Sequence, residues 1–118
     1  MNGAIENKSK KFAVRIINLY KYLVGEKKEY VMSRQILKSG TSIGANVKEG
    51  EFAQSTSDFI SKMSIALKEA GETEYWLELL CETDYITAAQ YDSMKTDCKE
   101  IIRLLTSIIK STKSNNNC

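Results

Sequence analysis

The sequence contains no histidine and no proline, and its 118 residues include only three cysteines. Without histidine the chain cannot build a Ser-His-Asp or Cys-His catalytic site, most zinc sites, or the di-iron centre of carboxylate bundles that contain Glu-x-x-His pairs. These absences favour a protein that is not an enzyme and that binds no metal or other cofactor.

The cysteines are odd in number and widely spaced and form no CxxC pair, which argues against a disulfide framework or a thiolate metal site and favours a reducing, cytoplasmic location. They are Cys81, Cys98 and Cys118. Residues 1–11 lack the apolar stretch of a secretory signal. Charged residues interrupt the best candidate for a membrane span, residues 12–24, so we expect a soluble protein.

Hydrophobic residues make up 42% of the chain, and 17 basic residues stand against 15 acidic ones, a formal net charge of +2. This composition is typical of one globular domain, and no strand-like alternation is sustained. Four blocks with helical periodicity cover about residues 8–24, 29–53, 55–82 and 87–112. With three short connections they predict an all-α, up-down-up-down antiparallel four-helix bundle over residues 1–113. The polar residues 114–118 are predicted to be a disordered tail.

Three local signals mark the predicted helix ends. Gly25 stands where a left-handed residue often ends a helix. Residues 55–58 (Ser-Thr-Ser-Asp) suit the N-cap of the third helix, and Thr87 and Gln90 have the spacing of a capping box for the fourth.

Each block has one apolar stripe that predicts its buried face. The first two stripes are Phe12, Ile16, Leu19, Tyr20 and Leu23, then Ile36, Gly40, Ile43, Val47 and Gly50. The last two are Phe59, Met63, Ala66, Ala70, Leu77 and Cys81, then Met94, Cys98, Ile101, Leu105 and Ile108. Glycines in the second stripe would let a neighbouring backbone approach closely.

Blocks three and four carry more apolar residues than one stripe requires. An exposed cluster of this kind marks a protein interface, so the sequence predicts a homo-oligomer. The predicted interface residues are Ile65, Trp76, Leu79, Ile102 and Ile109. The alternative is that Tyr75 and Trp76 are singly exposed or covered by loops.

Block three carries glutamates on and beside its apolar stripe. Glu74 lies beside the predicted core, and an unpaired buried charge is costly, so a partner is expected. The partners considered are Arg34, Lys38 and Lys48 and the hydroxyls of Ser39, Thr41 and Ser42. The functional alternative is a carboxylate metal site or an acid/base pair formed by Glu69, Glu72 and Glu74.

Positive charge is concentrated near the N-terminus, where residues 1–28 hold seven basic residues against two acidic ones. Such a patch attracts phosphate, and a homo-oligomer would repeat it. The predicted nucleic-acid-binding residues are Lys8, Lys10, Lys11, Arg15 and Lys21. The alternative is that these side chains only solvate the outside of the first helix.

Two segments carry a resemblance to a known family. Residues 40–50 read Gly-Thr-Ser-Ile-Gly-Ala-Asn-Val-Lys-Glu-Gly, and Asp58-Phe59 precedes a glutamate-rich helix with Glu-Thr-Glu-Tyr-Trp-Leu at 72–77. Over about residues 10–110 the chain resembles the 23S rRNA intervening-sequence proteins. The family residues that transfer are Ser42, Ile43, Asn46, Glu49, Gly50, Phe59, Ala66, Glu72 and Glu74.

The resemblance implies a four-helix bundle without an established catalytic activity or physiological role. The family is similar to accessory proteins of diversity-generating retroelements, which form pentameric barrels and bind nucleic acid and a reverse transcriptase. By resemblance we therefore expect a pentameric interaction or scaffold protein. The alternative is an RNA-binding accessory protein that acts through the basic first helix, alone or with a nucleic-acid enzyme.

Overall fold

The structure, a computed structural model, describes residues 3–116 and contains four α-helices in that range. They are α1 Gly3–Gly25, α2 Met32–Gly50, α3 Thr56–Glu82 and α4 Ala88–Asn116. α1 begins five residues before the predicted position, and α2 is shorter than predicted at both ends. α4 continues past residue 113, while residues 117 and 118 of the predicted tail lie outside the described residues.

Side-chain caps begin α3 and α4, as the sequence predicted, and the cap of α4 is the reciprocal capping box. The amide of Asp58 donates to Ser55 Oγ (3.0 Å), and the amide of Gln54 donates to Asp58 Oδ2 (3.3 Å). At α4, the amide of Gln90 donates to Thr87 Oγ1 (3.1 Å), and the amide of Thr87 donates to Gln90 Oε1 (2.8 Å). At α4 the pair satisfies two amides that the helix itself leaves without acceptors, whereas at α3 Ser55 satisfies one and Asp58 binds the amide of the residue before the N-cap.

A carboxylate from the preceding turn caps α2. Glu29 was predicted to lie inside the second helix, but it lies before it and is buried. Its Oε2 accepts from the amides of Val31 (3.2 Å) and Met32 (3.1 Å), and its Oε1 accepts from the amide of Ser33 (2.7 Å). These three bonds and the positive end of the helix dipole explain why a charged group is tolerated there.

The turn after α1 corrects one sequence prediction. Gly25 ends α1 but does not adopt the left-handed conformation, because no described glycine has a positive φ. Lys28 does, with φ of 55°. The amide of Glu29 then donates to the carbonyl of Leu23 (2.9 Å), which closes the turn.

The four helices form a ring of neighbours around one core. α2 packs on α1 and α3, α4 packs on α3 and α1, and the diagonal pairs do not meet. This arrangement is the predicted up-down-up-down antiparallel bundle, and it measures 51 × 22 × 20 Å. Residues 3–116 include no β-strand. No helix in this range has an apolar stretch long enough to cross a membrane.

The core consists mainly of the predicted stripes. The larger side chains that are almost fully buried are Phe12, Ile5, Ile16, Leu23, Ile36, Ile43, Met63, Leu77, Leu80, Ile101 and Leu105. Five predicted stripe residues are only half-buried: Leu19, Tyr20, Phe59, Cys81 and Ile108.

α1 and α2 approach each other at two glycines of α2. A Cβ at Gly40 would lie 2.6 Å from Cγ1 of Ile16, closer than real Cβ contacts allow. A Cβ at Gly44 would lie 3.4 Å from the backbone oxygen of Ser9, an ordinary contact distance. At Gly40 the close neighbour is thus the side chain of Ile16 rather than a backbone, and any side chain there would displace it. The predicted approach of a neighbouring backbone is found at Gly44 instead.

Two buried polar contacts cross between helices. Thr73 Oγ1 of α3 donates to Ser39 Oγ of α2 (2.9 Å). Cys98 Sγ of α4 donates to the carbonyl oxygen of Ala70 (3.3 Å). Burial, helped by the charge of Glu74, raises the pKa of the Cys98 thiol to about 12, so it stays protonated.

Candidate functional site

α3 carries an exposed apolar strip on the side away from the core. Ile65 is 39% exposed, Tyr75 is 55% exposed and Leu79 is half-buried. At about 100° per residue these three side chains and Lys68 and Glu72 fall within about 80° of one another. We call these five residues the α3 outer face. These apolar side chains make the α3 outer face a candidate interaction surface.

Two aromatic rings and a carboxylate contact one another on and beside the α3 outer face. Tyr75 and Trp76 meet edge to face, with ring centroids 5.5 Å apart and an angle of 62°. The indole Nε1 of Trp76 donates to Glu72 Oε1 (3.4 Å). A tyrosine beside an anchored acidic group suits a protein contact, since tyrosine and tryptophan are enriched among residues that contribute most to binding.

The structure separates the five predicted interface residues into two groups. Ile65 and Leu79 lie on the α3 outer face, apart from the core. Trp76, Ile102 and Ile109 are half-buried and pack against the core of their own subunit. The latter three therefore already have a role within the monomer, and their participation in a subunit contact stays a prediction.

A second exposed apolar pair lies on α1 and was missed by the sequence analysis. Val14 is 52% exposed and Ile17 is 39% exposed, and the exposed Lys10 and Lys21 flank them. These four side chains fall within about 60° at 100° per residue, and we call them the α1 outer face. The sequence could have shown this pair, because its two apolar residues are three positions apart on the side of the helix opposite Phe12.

The five predicted nucleic-acid-binding residues do not form one continuous basic surface. Lys8 Nζ pairs with Glu100 Oε1 (2.6 Å), and Arg15 Nη1 pairs with Asp97 Oδ2 (2.6 Å). The other guanidinium nitrogen of Arg15 donates to Ser93 Oγ (2.8 Å). These bonds hold α1 to α4 and use two of the five predicted cations. Among the described residues, the other three make no ion pair: Lys10, Lys11 and Lys21.

Glu6 and Glu51 face each other in an open groove of about 460 Å³ between α1 and α2. A hydrogen bond between the two carboxyl groups raises the pKa of Glu6 and lowers the pKa of Glu51. Lys48 Nζ lies 3.2 Å from Glu51 Oε2 and also lowers the pKa of Glu51.

The glutamates considered as a metal site do not converge. Glu74 pairs with Lys99 of α4 (3.0 Å), a partner that the sequence analysis did not consider, and Glu72 accepts from Trp76. Glu72 and Glu74 therefore contact different neighbours and do not form one acidic cluster. Within residues 3–116 no group of three or more histidine, cysteine or acidic side chains is placed to hold a metal ion.

The family-motif residues of α2 have structural roles. Ser42 Oγ donates to the carbonyl of Lys38 (2.6 Å), and Asn46 Nδ2 donates to the carbonyl of Ser42 (2.8 Å). Glu49 pairs with Lys62 of α3 (3.4 Å). Of the remaining motif residues, Ile43, Gly50 and Ala66 are buried and Phe59 is half-buried. The motif therefore shapes and joins α2 and α3.

Comparisons with known proteins agree with this architecture. Residues 2–107 match the family model described as 23S rRNA-intervening sequence protein. A crystal structure from Bacteroides thetaiotaomicron, described as a protein with unknown function from the S23 ribosomal protein family, is 65% identical, with a TM-score of 0.91. The match covers 92% of this chain and 96% of that one. Among curated proteins no match was found.

Proposed function

Because the chain belongs to the 23S rRNA-intervening sequence protein family, we propose that it acts by association, as a homo-oligomeric interaction protein without enzymatic activity. Neither the family description nor that of the similar crystal structure names an enzymatic activity. A ring of five subunits, expected by resemblance, is part of the proposal. The cytoplasmic location stays a prediction.

The α3 outer face is the observation that supports association. Ile65 and Tyr75 expose large apolar surfaces on one strip of one helix, although the bundle has a complete core without them. A solvated helix face normally carries charged and polar side chains. A second copy that covered this strip would remove its apolar area from water, which favours association by about 25 cal/mol per Å².

Solution mass tests the proposal. Light scattering at high micromolar concentration should give a multiple of the 13.3 kDa chain mass. Trp76→Ala should shift the assembly toward smaller species, but Trp76 also packs on its own core, so Tyr75→Ala is the cleaner variant. Tyr75→Ala should lower the mass and leave the circular dichroism spectrum unchanged. A wild-type protein that runs as a single chain at this concentration contradicts the proposal.

RNA binding is the second candidate function, and the exposed lysines of α1 favour it. Lys10, Lys11 and Lys21 are exposed and make no ion pair among the described residues, so they are available to phosphate. Fluorescence anisotropy with a structured RNA should show binding that weakens as KCl rises. Reversing these three charges should weaken it further, whereas Lys110→Glu, at an exposed position of α4 outside the α3 outer face, serves as the control. Binding that is insensitive to salt would reject an electrostatic role.

A further inference from the structure

We propose that the α1 outer face of one subunit packs directly on the α3 outer face of the next. Neighbouring subunits then stand side by side, and each uses two different faces for its two contacts. The inference rests on the proposed homo-oligomer and names its two contact surfaces. Each subunit would contribute Val14 and Ile17 to one contact and Ile65 and Tyr75 to another. Lys10 and Lys21, the two lysines of the α1 outer face, would then contribute to subunit association.

The two faces point away from each other. α1 and α3 occupy diagonal corners of the bundle, since each packs on α2 and α4 and they do not meet. A face of one subunit therefore cannot cover the other face of the same subunit. Two different surfaces on opposite sides produce a heterologous contact, in which every added copy presents a fresh surface to the next.

The faces carry complementary charge. Val14 and Ile17 stand between two lysines, and no acidic residue lies among them on the α1 outer face. Within about 60° of each face and about four residues of its ends, α1 adds Lys11 and Glu6, which gives a formal net charge of +2. Around the α3 outer face the formal net charge is −2, from two basic and four acidic residues: Lys62, Lys68, Glu69, Glu72, Glu78 and Glu82. Complementary charge around an apolar centre selects this pairing over α1 on α1 or α3 on α3.

The faces also lie at the same height along the bundle. Gly40 touches Ile16, and its neighbour Ser39 bonds to Thr73, so Ile16 and Thr73 are level. Ile16 lies within the stretch that the α1 outer face spans, residues 10–21, and Thr73 lies within that of the α3 outer face, residues 65–79. Two copies can therefore stand side by side without an axial shift.

Equal height sets one condition for a closed assembly. α1 and α3 run in the same direction, so copies that keep the orientation of their neighbours have parallel axes. A heterologous contact without an axial step closes into a ring only if each copy is also rotated relative to its neighbour by a fraction of a full turn, and without that rotation it builds a straight row. One long side of the bundle, 51 by 20 Å, has room for the roughly 800 Å² per partner of a stable interface.

Two assembly-deficient variants test the pairing. The α1 variant is Val14→Glu with Ile17→Glu, and the α3 variant is Ile65→Glu with Tyr75→Glu. All four positions are exposed, so both variants should keep the helical spectrum. Each alone should fall to the 13.3 kDa mass of one chain. An equimolar mixture should give twice that mass and no more. The intact α3 outer face of the α1 variant can pack on the intact α1 outer face of the α3 variant, and no other intact pair of faces remains. Phe52→Glu, at a 74% exposed site outside both faces, should assemble like the wild type.

The outcomes separate this inference from the proposed function. A monomeric wild type overturns both. An oligomeric wild type whose α1 variant keeps the full mass overturns the pairing alone, and so does a mixture that remains at the mass of one chain. Both measurements are made at the concentration at which the wild type is fully assembled.

Zero-length carbodiimide cross-linking gives a second readout. The diagonal placement keeps Lys10 and Lys21 out of reach of Glu72 and Glu78 within one subunit. Cross-linked peptides that join α1 lysines to α3 glutamates, found in the assembled wild type and absent from the α1 variant, support the pairing. An assembled wild type that yields no such peptide contradicts it.

Discussion

Gly40 of α2 lies so close to Ile16 of α1 that a single added carbon atom would overlap it, at 2.6 Å from Cγ1. Gly40→Ala should therefore lower the free energy of unfolding by about 1 to 3 kcal/mol, the usual cost of overpacking, despite the better helix propensity of alanine. Gly71→Ala is the matched control, because nothing lies within 4 Å of its added Cβ. It should raise stability by about 0.5 to 1 kcal/mol. Urea unfolding of the two variants measures the contrast, and equal effects would contradict the structure.

The buried hydrogen bond between Thr73 and Ser39 should couple α2 to α3 energetically. Thr73→Val keeps the shape of the side chain but removes its hydrogen bond with the Ser39 hydroxyl, together with its contact to the carbonyl of Glu69 (2.8 Å). We expect a loss of about 1 kcal/mol, typical of a buried hydrogen bond. In the double variant with Ser39→Ala the losses should not add, because both changes remove the same bond. A double-mutant cycle from chemical denaturation measures the coupling, and strict additivity would show that the two hydroxyls act independently.

Glu29 should be the most sensitive residue of the turn between α1 and α2. Glu29→Ala removes the acceptors of three backbone amides at the start of α2, and we expect a loss of about 1 to 3 kcal/mol. Glu26→Ala changes the same charge in the same turn at an exposed position and should be nearly neutral. Hydrogen exchange should show faster exchange at Met32 and Ser33 in Glu29→Ala only. Unchanged protection at these amides would exclude the capping role.

The thiol of Cys98 should make stability depend on pH in the alkaline range. Its pKa rises from an ordinary value of 9.0 to about 12 in the folded protein because the side chain is buried. The unfolded chain therefore loses this proton first, so the stabilisation is complete below pH 9 and declines as pH rises toward 12. The stability difference between wild type and Cys98→Ala should shrink over that window. A difference that stays constant up to pH 10.5 would mean that the thiol is not shielded.

Local chemistry explains how much of the fold the sequence could predict. The Ser55 and Thr87 caps act over three or four residues, and stripes such as Ile36, Ile43 and Val47 follow from helical periodicity alone. Both were therefore visible in the sequence and are confirmed. The capping role of Glu29 was not, because it requires a turn with a left-handed residue at Lys28 rather than at Gly25.

The candidate site was predicted less well, because it depends on which helices become neighbours. Glu74 finds Lys99 on α4 rather than a partner on α2, and Arg15 is engaged by Asp97, more than eighty residues away in the chain. Periodicity identified excess apolar surface on α3. It did not distinguish Trp76, which its own subunit half-covers, from Tyr75, which stays exposed.

The contact between α1 and α4 has a consequence for how the chain folds. Every other helix contact joins consecutive helices, so the bundle grows by three local hairpins whose closure costs little entropy. Only the pairing of α1 with α4 brings the two ends of the sequence together. Its ion pairs are about 40% exposed and therefore weak. We therefore expect the bundle to open first between α1 and α4, which would expose the buried side chains of Phe12 and Ile16 to water.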